Sequence, residues 1–276
     1  MQRSQIEILE NKSAALRMAV LEMIAAAKKG HIGGAYSCID ILTALYYGGI
    51  LRFDRSCPSW PRRDRFILSK GHSGTALFAV LADLGFFDAA ELAQYCCNGG
   101  KLGGHPDRNI PGIEADTGSL GHGLGIGAGM ALAAKMDKAD WRVFVLVGDG
   151  ECNEGSVWEA LVFASRHQLS NLILIIDRNH QCVLDFTEEC APLDPLVDRL
   201  AAFNWEVEEI DGHSFQELLP VLKRERSTRP RAIIANTIKG KGVSFMEKVL
   251  KWHHSVPNAE EVVIAKAELL KKIRVQ

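Results

Sequence analysis

The chain contains VGDGECNEG at 147–155 and, one apolar run later, IDRN at 176–179. Each stretch follows or includes a run of apolar residues, and Asp149 and Asn179 stand where those runs end. The spacing predicts one strand, helix, strand unit, which brings both polar ends to the carboxyl edge of a parallel sheet. Ligands of open α/β sheets bind outside that edge. We therefore expect a ligand site between Asp149 and Asn179.

The residue types in these stretches favour a diphosphate and metal site. Gly148 and Gly150 allow the backbone to turn sharply at a strand end. Hard divalent cations prefer oxygen ligands, which the Asp149 carboxylate and the Asn179 amide carry. A buried strand that ends in Gly-Asp-Gly is ordinary by itself. Two successive strands, of which one ends in a carboxylate and the next in an amide, are harder to explain by packing alone.

The rest of the chain predicts an α/β fold, a mostly parallel sheet with helices on both faces, because short apolar runs alternate with amphipathic stretches. The predicted strands are Arg65–Leu68, 142–148, 171–177, 205–210 and Arg231–Asn236. The predicted helices are 13–28, 38–47, 73–84, 125–135, 156–167, 195–203, 215–226 and 258–272. No repeat or linker interrupts this alternation, so we expect residues 1–276 to form a single domain.

Composition excludes several classes of protein. A chain of 276 residues with 47% hydrophobic residues and a net charge of −2 can bury a large core but offers no nucleic-acid footprint. We expect no membrane span and a cytoplasmic location, because no long apolar run or signal core is present. The seven cysteines include no Cys-x-x-Cys pair, which argues against a disulfide framework or zinc site. Cys152 and Cys182 are expected to be small fillers.

A glycine-rich stretch at 118–129 raises the alternative of a nicotinamide or flavin enzyme. Its glycines fall at alternate positions from Gly121 to Gly129, so no G-x-G-x-x-G register exists, and no strand pattern directly precedes them. Glycines can instead thin a helix so that another element approaches closely. We favour a cofactor contact at the start of the stretch, followed by a tightly packed helix.

Segments spread along the whole chain resemble the N-terminal half of transketolase. They are KKGHIGGAYSCIDILTALY from Lys28, RFILSKGHSGTALFAVL from Arg65, GGHPD from Gly103, EADTGSLGHGLGIGAGMALAAK from Glu114, GDGECNEGSVWEAL from Gly148, TIKGKGVSFME from Thr237 and KWHHSVP from Lys251. The resemblance implies a thiamine diphosphate-binding fold, thiamine diphosphate with Mg²⁺ or Ca²⁺, and transfer of a two-carbon ketol unit. Gly-Asp-Gly followed by Asn179 resembles the thiamine diphosphate signature.

The resemblance also implies roles for single residues. The implied metal ligands are the side chains of Asp149 and Asn179 and the backbone carbonyl of Gln181. The implied cofactor contacts are His72, Gly118, Ser119, Leu120, Gly148, Asp149, Gly150, Glu151, Asn179, His253 and His254. We expect the N–H groups of Gly150 and Glu151 to begin the following helix and to hold the phosphates. Ser119 and His122 depart from the family pattern Gly-Pro-Leu-Gly-Gln-Gly, so only backbone contacts are expected there.

Histidines in glycine-flanked loops are the candidate catalytic groups. A single loop histidine is more often structural, but the resemblance implies that His31, His72, His105 and His253 line the substrate channel or face the diphosphate. Imidazole suits proton movement because its unperturbed pKa lies near working pH. Either His253 or His254 should contact the diphosphate, and we favour His253.

Two further expectations concern neighbouring groups. Glu154 resembles a glutamate at the contact between subunits, although a carboxylate at a helix N-terminus is stabilising by about 0.3–1 kcal/mol in any case. Lys239 and Lys241 are candidates for substrate or cofactor contact, although basic loops are usually solvated.

The resemblance does not extend to the pyrimidine-binding and C-terminal domains of transketolase. We therefore expect a separately encoded C-terminal partner subunit, in a heterotetramer of two of each, acting on sugar phosphates. A component of another thiamine diphosphate enzyme, such as 1-deoxyxylulose-5-phosphate synthase or a 2-oxo acid dehydrogenase, remains an alternative. So does a noncatalytic paralogue. The donor and acceptor sugars stay open.

Overall fold

The computed structural model describes residues 2–225 and 227–273. The strands are β1 (Arg65–Leu68), β2 (Val143–Gly148), β3 (Leu172–Arg178), β4 (Glu206–Asp211) and β5 (Arg231–Asn236). The α-helices are α1 (Gln2–Ala27), α2 (Ile32–Tyr47), α3 (Gly74–Asp83), α4 (His122–Met136), α5 (Gly155–Arg166), α6 (Thr187–Cys190), α7 (Leu196–Ala202), α8 (Phe215–Lys223) and α9 (Ala259–Lys272). In the described ranges, no helix combines the length and the apolar character needed to cross a bilayer.

The strands form one parallel sheet in the order β1-β2-β3-β5-β4. Its register places Val145 between Ile67 and Leu174, and Leu174 beside Ala232. Every residue of β2 and β3 is buried. A parallel sheet covered on both faces requires such continuous apolar runs. The predicted α/β class and each predicted strand are confirmed to within one residue at each end.

Side chains that alternate along each strand separate two hydrophobic cores. Phe144 and Leu146 point into the larger core, which α1, α2, α3, α8 and α9 cover. Val143, Val145 and Val147 point into the smaller core, under α4, α5 and α7. Helices therefore cover both faces, and the open carboxyl edge of the sheet is left for a ligand.

The helices differ from the sequence prediction mainly at their beginnings. α2 starts at Ile32 rather than at 38. The prediction missed this start because all residues from Ile32 to Tyr46 are buried, so no amphipathic period marks it. α1 likewise begins at Gln2 rather than at 13. The short α6 carries no sequence signal of its own. Of the predicted helix 215–226, Arg226 lies outside the described residues, and α8 ends at Lys223.

Candidate active site

A cavity of about 270 Å³ lies at the carboxyl edge of the sheet, beyond the ends of β1, β2, β3 and β5. Its lining consists of Lys70, His72, Leu120, Gly148, Asp149, Gly150, Glu151, Asn153, Asn179, Gln181, Cys182, Val183, Leu184, Cys190, Lys239 and His253. Most of the predicted cofactor and metal residues are among them. His31, His105, Gly118, Ser119, Glu154 and His254 are not part of this lining.

The three predicted metal ligands share one corner of the cavity. The Asp149 carboxylate accepts hydrogen bonds from the N–H groups of Gly150 at 2.8 Å and His180 at 2.6 Å. The Asn179 amide oxygen accepts the Gln181 N–H at 3.2 Å. The Gln181 side-chain amide is buried, and neither its oxygen nor its nitrogen has a hydrogen-bond partner among the described residues. Buried polar atoms without a partner are uncommon, and a bound ion or water at this corner would satisfy them.

The electrostatic state of Asp149 fits a cation at this corner. Burial, reinforced by the nearby Asp177 carboxylate, raises the pKa of Asp149 to about 6, against the opposing effect of Arg178. A divalent ion would remove that penalty. Across the part of the chain that the structure describes, no group of three or more His, Cys, Asp and Glu side chains is placed to hold a metal. The proposed ligand set instead mixes a carboxylate with amide and backbone oxygens, which suits Mg²⁺ or Ca²⁺.

A buried ion pair beneath the cavity ties the strand ends together. Lys70, which follows β1, bonds Asp177 of β3, and both side chains are almost fully buried. Asp177 also accepts hydrogen bonds from Ser37 at 2.6 Å, from Thr237 and from the Asn179 amide at 3.3 Å. Sequence reasoning missed this network because its members are far apart in the chain.

Lys239 is a buried cation with no carboxylate hydrogen-bond partner in the described ranges. Its Nζ lies 2.9 Å from the Gln181 carbonyl oxygen and 2.8 Å from Nδ1 of His253. Burial, with a further effect from Lys70, lowers the pKa of Lys239 to about 8. The side chain is only 2% exposed, so the general expectation that basic loops are solvated is wrong here. Its ammonium group is placed to meet an anion in the cavity.

A cluster of four histidines lies at the mouth of this site, formed by His31, His72, His253 and His254. The ring centroids of His31 and His72 lie 5.4 Å apart, and those of His72 and His253 are also 5.4 Å apart. Burial is the first cause that lowers the pKa of His31 to about 4, of His253 to about 3 and of His72 well below its ordinary value. These imidazoles are therefore neutral at pH 7, and each can donate one hydrogen bond and accept another.

The structure distinguishes the neighbouring histidines at 253 and 254. His253 lines the cavity and contacts Lys239, whereas His254 is exposed and packs its ring 4.5 Å from that of His31. His105 is exposed as well. Its ring lies against Gly118, where the backbone φ is +139° and an added Cβ would come within 2.8 Å of His105 Cδ2. Glycine is thus required at 118 by both conformation and contact.

Gly150 and Glu151 precede α5 rather than begin it, contrary to our expectation for their N–H groups. Residues Gly150–Asn153 form a separate 3₁₀ turn, and α5 begins at Gly155. The buried Glu151 carboxylate accepts the N–H groups of Gly121 at 2.9 Å and Gly148 at 3.1 Å, and also bonds the Ser69 hydroxyl. Hydrogen bonds of the Glu151 side chain thus connect the loop before α4 to the end of β2. Any phosphate contact of Glu151 would be made by its backbone.

The glycines of α4 lie on two faces of the helix, one packed against the sheet and one open. A Cβ at Gly123 would overlap Ser69, and one at Gly127 would come within 2.5 Å of Val145, so these positions need the close packing that we expected. Gly125 faces open space. Glu154 is exposed beside Gly121, at the start of α5, where no contact within the described residues assigns it a role.

The cysteines differ in their surroundings. All seven are free. Cys152 is buried in the smaller core and acts as the expected filler. Cys182 is partly exposed at the cavity wall, and its sulfur lies 3.1 Å from that of Cys190, so its assignment as a filler is wrong.

Comparison with known proteins agrees with this geometry. The family profile described as "Transketolase, thiamine diphosphate binding domain" matches residues 9–272. The chain is 44% identical over 271 residues to an apulose-4-phosphate transketolase subunit of Phocaeicola vulgatus, covering 98% of this chain and 96% of that relative. It is 40% identical over 275 residues to the 6-deoxy-6-sulfo-D-fructose transketolase subunit SqwG of a Clostridium species, with 99% of each chain covered.

A solved transketolase from Campylobacter jejuni has the same fold, with a TM-score of 0.90 at 32% identity. The match covers 96% of this chain but only 43% of that one, so the chain spans less than half of the solved transketolase. The profile match covers nearly the whole chain and the relatives are well above 30% identical. The chain therefore belongs to the transketolase family, within which it corresponds to the thiamine diphosphate-binding domain.

Proposed function

We propose that residues 1–276 form the single diphosphate-binding domain of a transketolase assembled from separate subunits. With thiamine diphosphate and Mg²⁺, the assembly would transfer a two-carbon ketol unit from a ketose phosphate to an aldose phosphate. The observation that carries this proposal is the cavity at the sheet edge, where Asp149, Asn179 and Gln181 present oxygens beside the buried Lys239 ammonium. We place the protein in the cytoplasm.

The metal and the diphosphate would be held at opposite sides of one corner. Asp149 and Asn179 would supply side-chain oxygens to the metal, and Gln181 its carbonyl oxygen. The Lys239 ammonium has three donors and now contacts two acceptors, so its remaining donor would serve the diphosphate. The N–H groups of the Gly150–Asn153 turn lie at the same wall of the cavity.

Neutral imidazoles would handle the substrate. Thiamine diphosphate, when bound, supplies the nucleophilic carbon needed to cleave the ketose carbon–carbon bond. His31, His72 and His253 would orient the ketose oxygens and move protons between them, because each neutral ring has one donor and one acceptor nitrogen. His105, whose ring lies against Gly118, would complete the channel. The low pKa values of His31, His72 and His253 keep these three rings neutral at working pH.

A C-terminal partner subunit would cover the cavity. Val183 and Leu184 line its wall, and 64% and 83% of their surfaces are exposed. Exposed apolar side chains at the rim of a pocket commonly mark a contact surface. Two relatives that match this chain almost end to end are themselves named as transketolase subunits. We propose a heterotetramer of two copies of each chain, with Glu154 at the contact between them.

The sugar is the least constrained part of the proposal. The two relatives are named for apulose 4-phosphate and for 6-deoxy-6-sulfo-D-fructose, which carry different acidic ends. Among the described residues of the cavity wall, Lys239 faces the diphosphate position, and no second unpaired lysine or arginine would select the acidic end of a sugar. We therefore assign choice of the sugar to the partner subunit.

Calorimetric titration of thiamine diphosphate with Mg²⁺, first into this chain alone and then into its mixture with the C-terminal transketolase subunit of the same organism, tests the proposal. Ketol transfer is assayed in parallel. We expect tight binding and two-carbon transfer only in the mixture, and loss of both in Asp149→Ala. Full activity of the isolated chain would refute the partner requirement. Unchanged activity of assembled Asp149→Ala would favour a noncatalytic role for this chain.

A further inference from the structure

Two cysteines face each other across the wall of the cavity. Cys182 Sγ lies 3.1 Å from Cys190 Sγ, and both residues belong to the cavity lining. A disulfide has an S–S distance of about 2.05 Å, so the sulfurs need to approach by only about 1 Å. In this chain without a partner subunit, Cys190 is exposed and Cys182 is partly exposed, so both sulfurs are open to small reagents.

The surrounding backbone already holds the two sulfurs together. Cys182 begins a tight turn in which its N–H donates to the Asp185 carbonyl at 2.9 Å. Cys190 ends α6, and its N–H donates to the Phe186 carbonyl at 3.1 Å. Gln181 and Phe186 form an antiparallel bridge between these parts. These hydrogen bonds keep the two ends of the segment close together.

The same segment is tied to the site through one arginine. Arg178 donates to the Thr187 hydroxyl at 2.9 Å and to Glu188 at 2.7 Å, both on α6. It also contacts the Asp149 carboxylate at 3.4 Å. On the other side, the Cys182 Cβ lies 3.1 Å from the position that a Cβ on Gly150 would occupy. A change of stiffness in 182–190 would thus act on the wall beside Asp149.

We propose that Cys182 and Cys190 form a reversible intramolecular disulfide that fixes the 182–190 wall of the cavity. That this wall belongs to a cofactor site rests on the proposed function, whereas the crosslink itself does not. Intracellular disulfides of this kind are usually transient and redox-sensing rather than structural.

A hydroperoxide is the oxidant that balances the step. One thiolate attacks a peroxide oxygen, the O–O bond breaks, and a sulfenic acid forms while water leaves with the thiol proton. The second sulfur then attacks the sulfenic sulfur, the S–O bond breaks, and a second water leaves with the second thiol proton. Two thiols are oxidised to one disulfide, and hydrogen peroxide is reduced to two waters. A dithiol reductant reverses the change by exchange.

The test treats the full native chain, without cofactor, with stoichiometric hydrogen peroxide, followed by alkylation and peptide mass mapping. We expect loss of two of the seven thiols, a 182–190 crosslink two hydrogens lighter than the reduced pair, and full reversal by dithiothreitol. Cys182→Ser and Cys190→Ser should each abolish the crosslink. Cys57→Ser, which removes an exposed thiol elsewhere, should behave as wild type.

Two results would overturn the proposal. One is a product without the 182–190 link, such as separate sulfinic acids or a Cys96–Cys97 bond. The other is a crosslink that leaves amide hydrogen exchange across 181–190 unchanged, since fixing the wall should slow it by about tenfold. Both readouts are made without thiamine diphosphate, so failure of the proposed function would not alter them.

Discussion

Two buried lysines at the same cavity are expected to respond in opposite ways to replacement by methionine. Lys70 and Lys239 are 1% and 2% exposed. Lys70 pairs with Asp177, which is itself fully buried. Removing one member of a buried pair leaves an uncompensated charge, which destabilises by about 3–5 kcal/mol. Because Asp177 keeps its hydrogen bonds from Ser37 and Thr237, we expect Lys70→Met to destabilise the fold by an amount near the lower end of this range.

Lys239→Met should instead stabilise the chain that has no ligand. The pKa of Lys239 is lowered from 10.5 to about 8 in the folded chain, which corresponds to about 3 kcal/mol against the charged form. A lysine whose folded pKa lies below its unfolded value destabilises most below pH 8, and that penalty fades as pH rises towards 10.5. At pH 7 methionine removes the penalty, so the free energy of unfolding should rise by up to about 3 kcal/mol.

The two variants also separate stability from cofactor binding. Loss of the Lys239 ammonium would remove the charged hydrogen bond that we propose to the diphosphate, worth about 1.5–3 kcal/mol, or about 10- to 150-fold in Kd. Urea unfolding at pH 7 measures the first effect, and titration of thiamine diphosphate with Mg²⁺ into the assembled enzyme measures the second. Lys29→Met, at an exposed lysine, is the control. Equal destabilisation by Lys70→Met and Lys239→Met would refute the reasoning.

Three more substitutions or conditions test other parts of the site. Asp149 has a pKa of about 6 and must lose its proton to bind Mg²⁺, so the Mg²⁺ affinity should fall about tenfold per pH unit below pH 6. Calorimetric titration from pH 5 to 7 measures this, and a flat profile would contradict it. In urea unfolding, Gly123→Ala should lower the free energy of unfolding by about 1–3 kcal/mol, because the added methyl group overlaps Ser69. Gly125→Ala places its methyl group in open space and should raise that free energy by about 0.5–1 kcal/mol. The reverse order would exclude the packing described. Glu154→Ala should lower the free energy of unfolding of the isolated chain by no more than about 1 kcal/mol, but it should weaken association of the two kinds of chain in sedimentation. Unaltered association would remove Glu154 from the contact.

The sheet and the polar strand ends could be predicted because both leave local patterns. β2 and β3 are buried on both faces, so each begins with an apolar run in the sequence, at 143–147 and at 172–176. Asp149 and Asn179 lie within three residues of the ends of those runs and line the cavity as expected. The parallel order then brings both residues to one edge. These features depend on residues within a few positions of each other.

The charge network could not be predicted, because it joins residues that are distant in the chain. Lys70, after β1, meets Asp177 of β3 across β2, and Lys239 reaches Gln181 from the segment after β5. No spacing or composition indicates those distances. The same holds for Cys182, whose partner Cys190 is brought back by the turn and by α6. A run of fully buried residues also concealed the start of α2, since burial on all sides removes the helical period.

Locating the metal tests the central claim most directly. Crystals of the assembled subunits, grown with thiamine diphosphate and Ca²⁺ or Mn²⁺, would reveal the ion by its anomalous scattering. We predict one ion bound by oxygens of Asp149, Asn179 and Gln181, at about 2.1–2.6 Å, and bridging to the diphosphate. An ion bound elsewhere, or a diphosphate bound without contact to this corner, would contradict the assignment of the cavity as the cofactor site.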